Sequence, residues 1–194
     1  MNRTALLLID FINEIVDDKG KLAGKGYASF VKEHSTLENV QVAIGKAHKN
    51  GVLVVFVTVE FKPDYSDWPE NSTLFGAAKK FEALKGETWA TELHDSIDLS
   101  QVDHRFKKNR ISAFYKTPLQ DFLDKENVET LFIGGVATDI AVESAVRDAH
   151  DRDFKVIVLE DLCAAASQED HESALKHLAK MAQISDSSTA PELN

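Results

Sequence analysis

An α/β fold built on a parallel sheet is what the sequence predicts, and three observations predict it. Four short runs, Ala5–Ile9, Val52–Val59, Val128–Ile133 and Phe154–Leu159, are almost continuously apolar and rich in β-branched residues. Strands with one wet face alternate apolar and polar residues, so runs of this kind read as strands buried on both faces. Stretches with helical spacing lie between and after them, which is the pattern of βαβ units with right-handed crossovers. The 194 residues fit one domain spanning 1–194, and only 9 Gly and 4 Pro interrupt it.

The helical stretches justify themselves in order. Over Leu37–Asn50, Val40, Ala43, Ile44 and Ala47 share a face, and Gly51 supplies a stop. Pro118–Glu126 opens on a first-turn proline and gathers Leu119, Phe122 and Leu123. Over Thr138–Asp151, Ala141, Ala145 and Ala149 stack at four-residue intervals beside Val142 and Val146. Ser167–Ala182 begins with Ser167 as a cap, followed by Ala174, Leu175 and Leu178 on one face. Glu60–Val102 is long, helical only over Leu74–Leu84, and holds both tryptophans; irregular stretches of that length usually cover or shape a site. The polar tail Ser185–Asn194 is expected to fray.

Charge excludes several classes of function. With 22 Lys and Arg against 32 Asp and Glu, the formal net charge is −10, which repels nucleic-acid backbones and anionic membranes. The partner expected is a small-molecule substrate. The single cysteine, Cys163, has no internal partner for a disulfide, which suits a reducing cytoplasm. Ala5–Ile9 is cut off by Asp10 and is too short for a signal peptide or a membrane span. No Cys/His cluster has zinc spacing, so neither metal nor cofactor is expected.

Some motifs fail on inspection. Gly20-Lys21-Leu22-Ala23-Gly24-Lys25-Gly26 has the look of a phosphate loop, but its glycine spacing is one short and Gly26 stands where a Ser or Thr would hold magnesium. It reads as a mobile surface loop. No G-x-S-x-G nucleophile elbow exists. Three positions survive. Asp10 directly follows the first buried strand, where the ligand sites of open α/β sheets lie, and a partly desolvated carboxyl there suits proton transfer. Lys108 lies in the basic run Arg105-Phe106-Lys107-Lys108-Asn109-Arg110, ahead of Ile111-Ser112-Ala113-Phe114. Gly134-Gly135-Val136-Ala137-Thr138-Asp139-Ile140-Ala141 carries the chain from a strand into a helix, where backbone N–H groups make an oxyanion site.

Together these residues resemble the isochorismatase-like cysteine hydrolase superfamily over about Thr4 to Ser187. The matching segments are Leu8-Ile9-Asp10-Phe11-Ile12-Asn13-Glu14, the stretch Lys108 to Leu119, and Gly135 to Ala149. The resemblance implies a Rossmann-like, three-layer αβα sandwich on a six-stranded, mainly parallel sheet, and a homodimer or homotetramer. It also implies a non-proline cis peptide at Val136–Ala137 that aims backbone amides at the substrate. Asp10 and Lys108 take the family's catalytic positions, and Ala137 and Ala141 its oxyanion amides.

The departure matters more than the match. Amide-cleaving members carry a nucleophilic cysteine where this chain has Ala141, and a methyl group does not attack a carbonyl. The Asp-x-His metal pattern of nicotinamidases is replaced by Glu60-Phe61-Lys62. The expected activity is therefore hydrolysis of a small metabolite by an Asp10/Lys108 pair without a thiol, of the vinyl-ether type. Two alternatives stand beside it: a catalytically silent member that binds a ligand or partner, and a Cys-to-Ala variant of a C–N amidohydrolase. Phe11, Phe61, Tyr65, Trp68 and Trp89 are candidate pocket walls, with core or subunit-interface anchors as the other reading.

Overall fold

Ala5 to Ile9 carry no polar side chain, and the computed structural model, which describes residues 3–190 and Leu193, places them in the middle of a sheet covered on both faces. Six strands form it: β1 (Arg3–Ile9), β2 (Leu53–Val59), β3 (His104–Lys108), β4 (Val128–Val136), β5 (Lys155–Ala164) and β6 (Gln183–Ser185). Their order is β3-β2-β1-β4-β5-β6, and all five pairings are parallel. The chain builds outward from β1 through β2 to β3, then crosses to β4 on the other side. The carboxyl ends of β1 and β4 thus flank the switch point, where doubly wound sheets leave a crevice.

Alternation along β1 sorts the two cores. Leu6 and Leu8 pack with Phe30 and Val31 of α2 (Tyr27–Glu33) and with Val40, Ala43, Ile44 and Ala47 of α3 (Thr36–Lys49). Ala5, Leu7 and Ile9 pack on the opposite face with Leu119 and Leu123 of α5 (Leu119–Lys125), with Ala145, Val146 and Ala149 of α6 (Glu143–His150), and with Leu178 of α7 (Gln168–Leu178). Two single-turn helices, α1 (Asn13–Val16) and α4 (Ala78–Phe81), belong to the loops over the sheet's carboxyl edge. The αβα sandwich is the expected one, and Ser167 caps α7 by accepting from the Asp170 N–H. Among the described residues no helix is long and apolar enough to cross a membrane.

Four differences from the sequence reading have physical causes. β3 and β6 lie at the sheet edges, where charged or short strands block further pairing, so neither has the apolar signature of the inner four. β5 runs on to Ala164 past a register shift opposite Ile133–Gly135, which places Cys163 beside Gly135. The segment Leu74–Leu84 is helical only at Ala78–Phe81. The tail is docked rather than frayed over its described part: Ser187 bonds Asp161 through both its N–H and its hydroxyl, while Ala190 and Leu193 are fully buried.

Gly134 and Gly135 are required by close approach. A Cβ on Gly135 would lie 2.7 Å from the Ile9 carbonyl oxygen, and one on Gly134 would lie 2.7 Å from Leu162 Cβ. Both neighbours belong to adjacent strands and have no freedom to retreat. Gly135→Ala is accordingly expected to destabilise the fold by about 1–3 kcal/mol, the usual cost of overpacking, as read from a denaturant titration. An unchanged midpoint would contradict this packing.

Candidate active site

Asp10 stands one residue beyond β1 in a left-handed conformation, φ 61°, which aspartate tolerates better than most residues. Its N–H still bonds the Val57 carbonyl, at 3.0 Å, so the turn begins from a fixed ladder. Lys108 ends β3, two strands away, and is brought level because Val59 of β2 pairs with it. The two side chains meet below the surface. Asp10 Oδ2 accepts from Lys108 Nζ at 2.7 Å, and Asp10 Oδ1 accepts from the Val59 N–H at 2.7 Å. The ammonium also donates to the carbonyls of Ile111, at 3.0 Å, and Arg110, at 3.3 Å, so each of its three protons has an acceptor. Asp10 and Lys108 are 3% and 4% exposed. Burial pushes the Asp10 carboxyl above its ordinary value and outweighs the lowering pull of the Lys108 ammonium and the Val59 N–H.

Across the crevice, β4 ends in the cis Val136–Ala137 peptide that the family resemblance implied. The chain then makes a π-helical turn, Thr138–Val142, before α6, so the single helix expected over Thr138–Asp151 is two elements. The Ala137 carbonyl accepts from the N–H groups of Ile140, Ala141 and Val142 at 3.2, 2.9 and 3.1 Å. This corrects one expectation: the Ala141 amide is engaged within the turn. The Ala137 N–H has no acceptor among the described residues and remains the backbone donor of this wall. Buried Thr138 is held from behind, its hydroxyl 2.9 Å from Nδ1 of His171, an imidazole whose pKa burial lowers.

A cavity of about 390 Å³ joins these parts, lined by Asp10, Lys108, Ala137 and Ala141 and otherwise mainly by apolar side chains. Ala141, whose side chain is only a methyl group, therefore lines the same space as the ion pair. Phe11, Phe61 and Trp89 are not among its walls. Phe11 and Phe61 are fully buried in the core, Tyr65 packs beside Phe61, and Trp68 bonds the Phe75 carbonyl. Trp89 is partly exposed in a short 3-10 turn, Trp89–Thr91. Cys163 lies in β5, buried, with burial pushing its thiol up to about 12, and its Sγ donates to the Leu159 carbonyl. It has no access to the cavity chemistry.

The walls come instead from the glycine-rich segment and from the irregular stretch Glu60–Val102, the latter as its length suggested. Lys21, Leu22 and Lys25, from the loop that read as mobile surface, and Tyr27 at the start of α2 line one side, and residues between Leu74 and Leu84 supply the other. Glu14 ties the two together from below: its Oε1 accepts from the Leu84 N–H at 3.0 Å and its Oε2 from the Lys21 N–H at 3.2 Å. The glycine that opens the loop is also required, since a Cβ on Gly20 would strike the Glu14 carbonyl at 2.3 Å. Gly20 was the visible signal, and the buried carboxylate six residues before it was not. Among the described residues no group of three or more His, Cys, Asp or Glu is placed to hold a metal.

A doubly wound sheet thus brings a carboxylate, a lysine and a cis-peptide turn around one crevice at its carboxyl edge. Residues 4–189 match the isochorismatase domain, and the chain belongs to that family. A ureidoacrylate amidohydrolase of Methylorubrum extorquens is 29% identical over 170 residues, which cover 81% of this chain and 68% of that protein. An Arabidopsis thaliana protein named "probable inactive nicotinamidase" is 32% identical over 171 residues, 87% of this chain and 84% of its own. Among solved structures, a pyrazinamidase/nicotinamidase from Streptococcus mutans superposes with a TM-score of 0.77 at 28% identity, covering 94% of this chain and 99% of its own.

Two outcomes check this geometry. Iodoacetamide at pH 8 should label Cys163 at least about a hundredfold more slowly in the native than in the unfolded protein, because almost no thiolate forms and none is accessible; comparable rates would contradict the burial. Glu14→Ala strands two N–H groups and should lower stability by about 1–3 kcal/mol in chemical denaturation, whereas Glu33→Ala, at an exposed position ending α2, should not.

Proposed function

We propose that this protein is a thiol-independent hydrolase of a small metabolite, with Asp10 as the proton donor and acceptor and vinyl-ether cleavage as the reaction type. The observation that carries the reading is the Asp10–Lys108 pair at the foot of a cavity whose opposite wall offers a methyl group at residue 141. A carboxyl whose pKa is raised by burial keeps a proton further up the pH scale than an exposed aspartate, as a general acid requires.

The step balances without a nucleophilic side chain. Protonated Asp10 gives its proton to the terminal carbon of the enol ether, leaving an oxocarbenium ion. Water adds to the cationic carbon and returns a proton to Asp10, and the hemiketal collapses to a ketone and an alcohol. Lys108 makes no contact with the substrate in this scheme, because all three of its protons are engaged; it positions Asp10 and stabilises the carboxylate once the proton has left. The Ala137 N–H is the donor for an oxygen on the substrate.

Asp10→Asn should lower turnover by at least about a hundredfold, the usual scale of an acid–base residue, and Cys163→Ala should leave it within about twofold. The product should be a carbonyl compound released without ammonia. Loss of activity in Cys163→Ala alone would overturn the reading, and ammonia release would favour C–N cleavage.

The pH dependence has a fixed sign. Asp10 acts only when protonated, and that fraction falls as pH rises through its raised folded value. Activity therefore declines along this limb with rising pH. Lys108→Met removes a lowering influence and should shift the limb to higher pH; a limb that stays in place would contradict the assignment of the acid.

One observation favours a second reading. The same methyl at residue 141, together with the relative named as inactive, supports a ligand-binding protein without turnover. Thermal-shift stabilisation by compounds that are never consumed would support it.

A further inference from the structure

We propose that Lys25 is the specificity-determining cation of the cavity and that its ligand is an organic anion with an apolar body; this rests on the reading of the Asp10–Lys108 cavity as the substrate site. Three lysines and one aspartate line the cavity, so its charge is positive in a chain whose net charge is −10. A ligand anion needs a cation with protons to give. Lys108 has none, since Asp10 and the Arg110 and Ile111 carbonyls accept all three. Lys21 is largely engaged, donating to the Phe81 carbonyl at 3.1 Å and the Glu82 carbonyl at 2.7 Å, which fixes the loop to the opposite wall. The Lys25 ammonium has no hydrogen bond or ion pair among the described residues; only the backbone N–H of Lys25 is engaged, donating to the Leu22 carbonyl at 3.1 Å.

The backbone beneath Lys25 is fixed. It closes a 3-10 turn, Ala23–Lys25, and the next residue, Gly26, has φ 109° and sits so close to β5's continuation that a Cβ there would meet the Ala166 carbonyl at 2.1 Å. The ammonium is thus carried on a flexible stem from an anchored base, at the cavity wall. Asp139 and Asp170 act on the neighbouring Tyr27 phenol, whose pKa burial raises, but neither carboxylate lines the cavity.

The rest of the lining sets the ligand's body. Leu74 and Phe81 line the cavity while remaining 41% and 61% exposed, and a ligand lying against them removes that apolar surface from water. The complementary molecule has a carboxylate or similar anionic group at Lys25, a hydrocarbon or aryl segment along Leu74 and Phe81, and its reacting end at Asp10.

The test is a binding comparison that needs no turnover. Phenylalkanoates with two to five methylenes and their neutral carboxamides are titrated calorimetrically into wild type, Lys25→Met, Lys25→Arg and Lys21→Met. The expected result is a preference of about tenfold or more for the carboxylates in wild type, retained in Lys25→Arg, abolished in Lys25→Met with an unchanged melting temperature, and reduced but present in Lys21→Met. Equal affinities for the two series in wild type, no binding by either, or a preference that survives Lys25→Met overturns the proposal. A Lys25-dependent preference in a protein that hydrolyses nothing would overturn the hydrolase reading and leave this one standing. Turnover of neutral and anionic substrates at equal rates would do the reverse.

Discussion

The site is organised by a pair of opposite charges removed from water. Taking a carboxylate and an ammonium out of solvent carries a penalty of several kcal/mol per ion, and their attraction offsets it only when the remaining lone pairs and protons are also satisfied. Here they are: Val59 supplies the second donor to Asp10, and the Arg110 and Ile111 carbonyls complete Lys108. Satisfying both groups draws on β1, β2, β3 and the turn after β3 at once. The register of those strands is therefore coupled to the chemistry, because a slip of one residue would turn each group to the other face of the sheet.

That arrangement also decides what the pair does. A lysine with every proton engaged is a fixed field and a tether, and it does not reach for a substrate. The mobile proton belongs to Asp10, and recognition of any substrate charge falls to another part of the wall. With a methyl at residue 141 and the thiol of Cys163 buried in β5 on the other side of Gly135, sulfur has no part in the cavity. The π-helical turn keeps the Ala137 carbonyl fully occupied while leaving its N–H available, which makes the cis-peptide segment a donor surface.

The inner strands were legible because Ala5–Ile9 and Leu131–Ile133 are short and apolar on both faces. β3 was not, because an edge strand reading His104-Arg105-Phe106-Lys107-Lys108 shows a single inward apolar residue. Lys108 was found by its motif rather than by its place in a strand. The aromatic candidates failed for a different reason: Phe11 and Phe61 follow strand ends, but the loops double back there, with Ile12 bridging Leu93 and Phe61 bridging Lys85, and carry the rings into the core. Lys21 and Lys25 were invisible because a lysine in a glycine-rich loop looks solvated until the opposite wall is known. The long-range Glu14 bonds to Leu84 and Lys21, with those of the Lys21 ammonium to the Phe81 and Glu82 carbonyls, bring those walls together.

The most direct measurement is the ionisation of the Asp10 carboxyl itself, followed by ¹³C NMR of its side-chain carbon across pH and assigned by its disappearance in Asp10→Asn. A midpoint above the value near 3.9 of an unperturbed aspartate is the expected result, because burial outweighs Lys108. A midpoint below that value would show that the ammonium dominates and that Asp10 is a permanent anion, and the proton-donor account would fail.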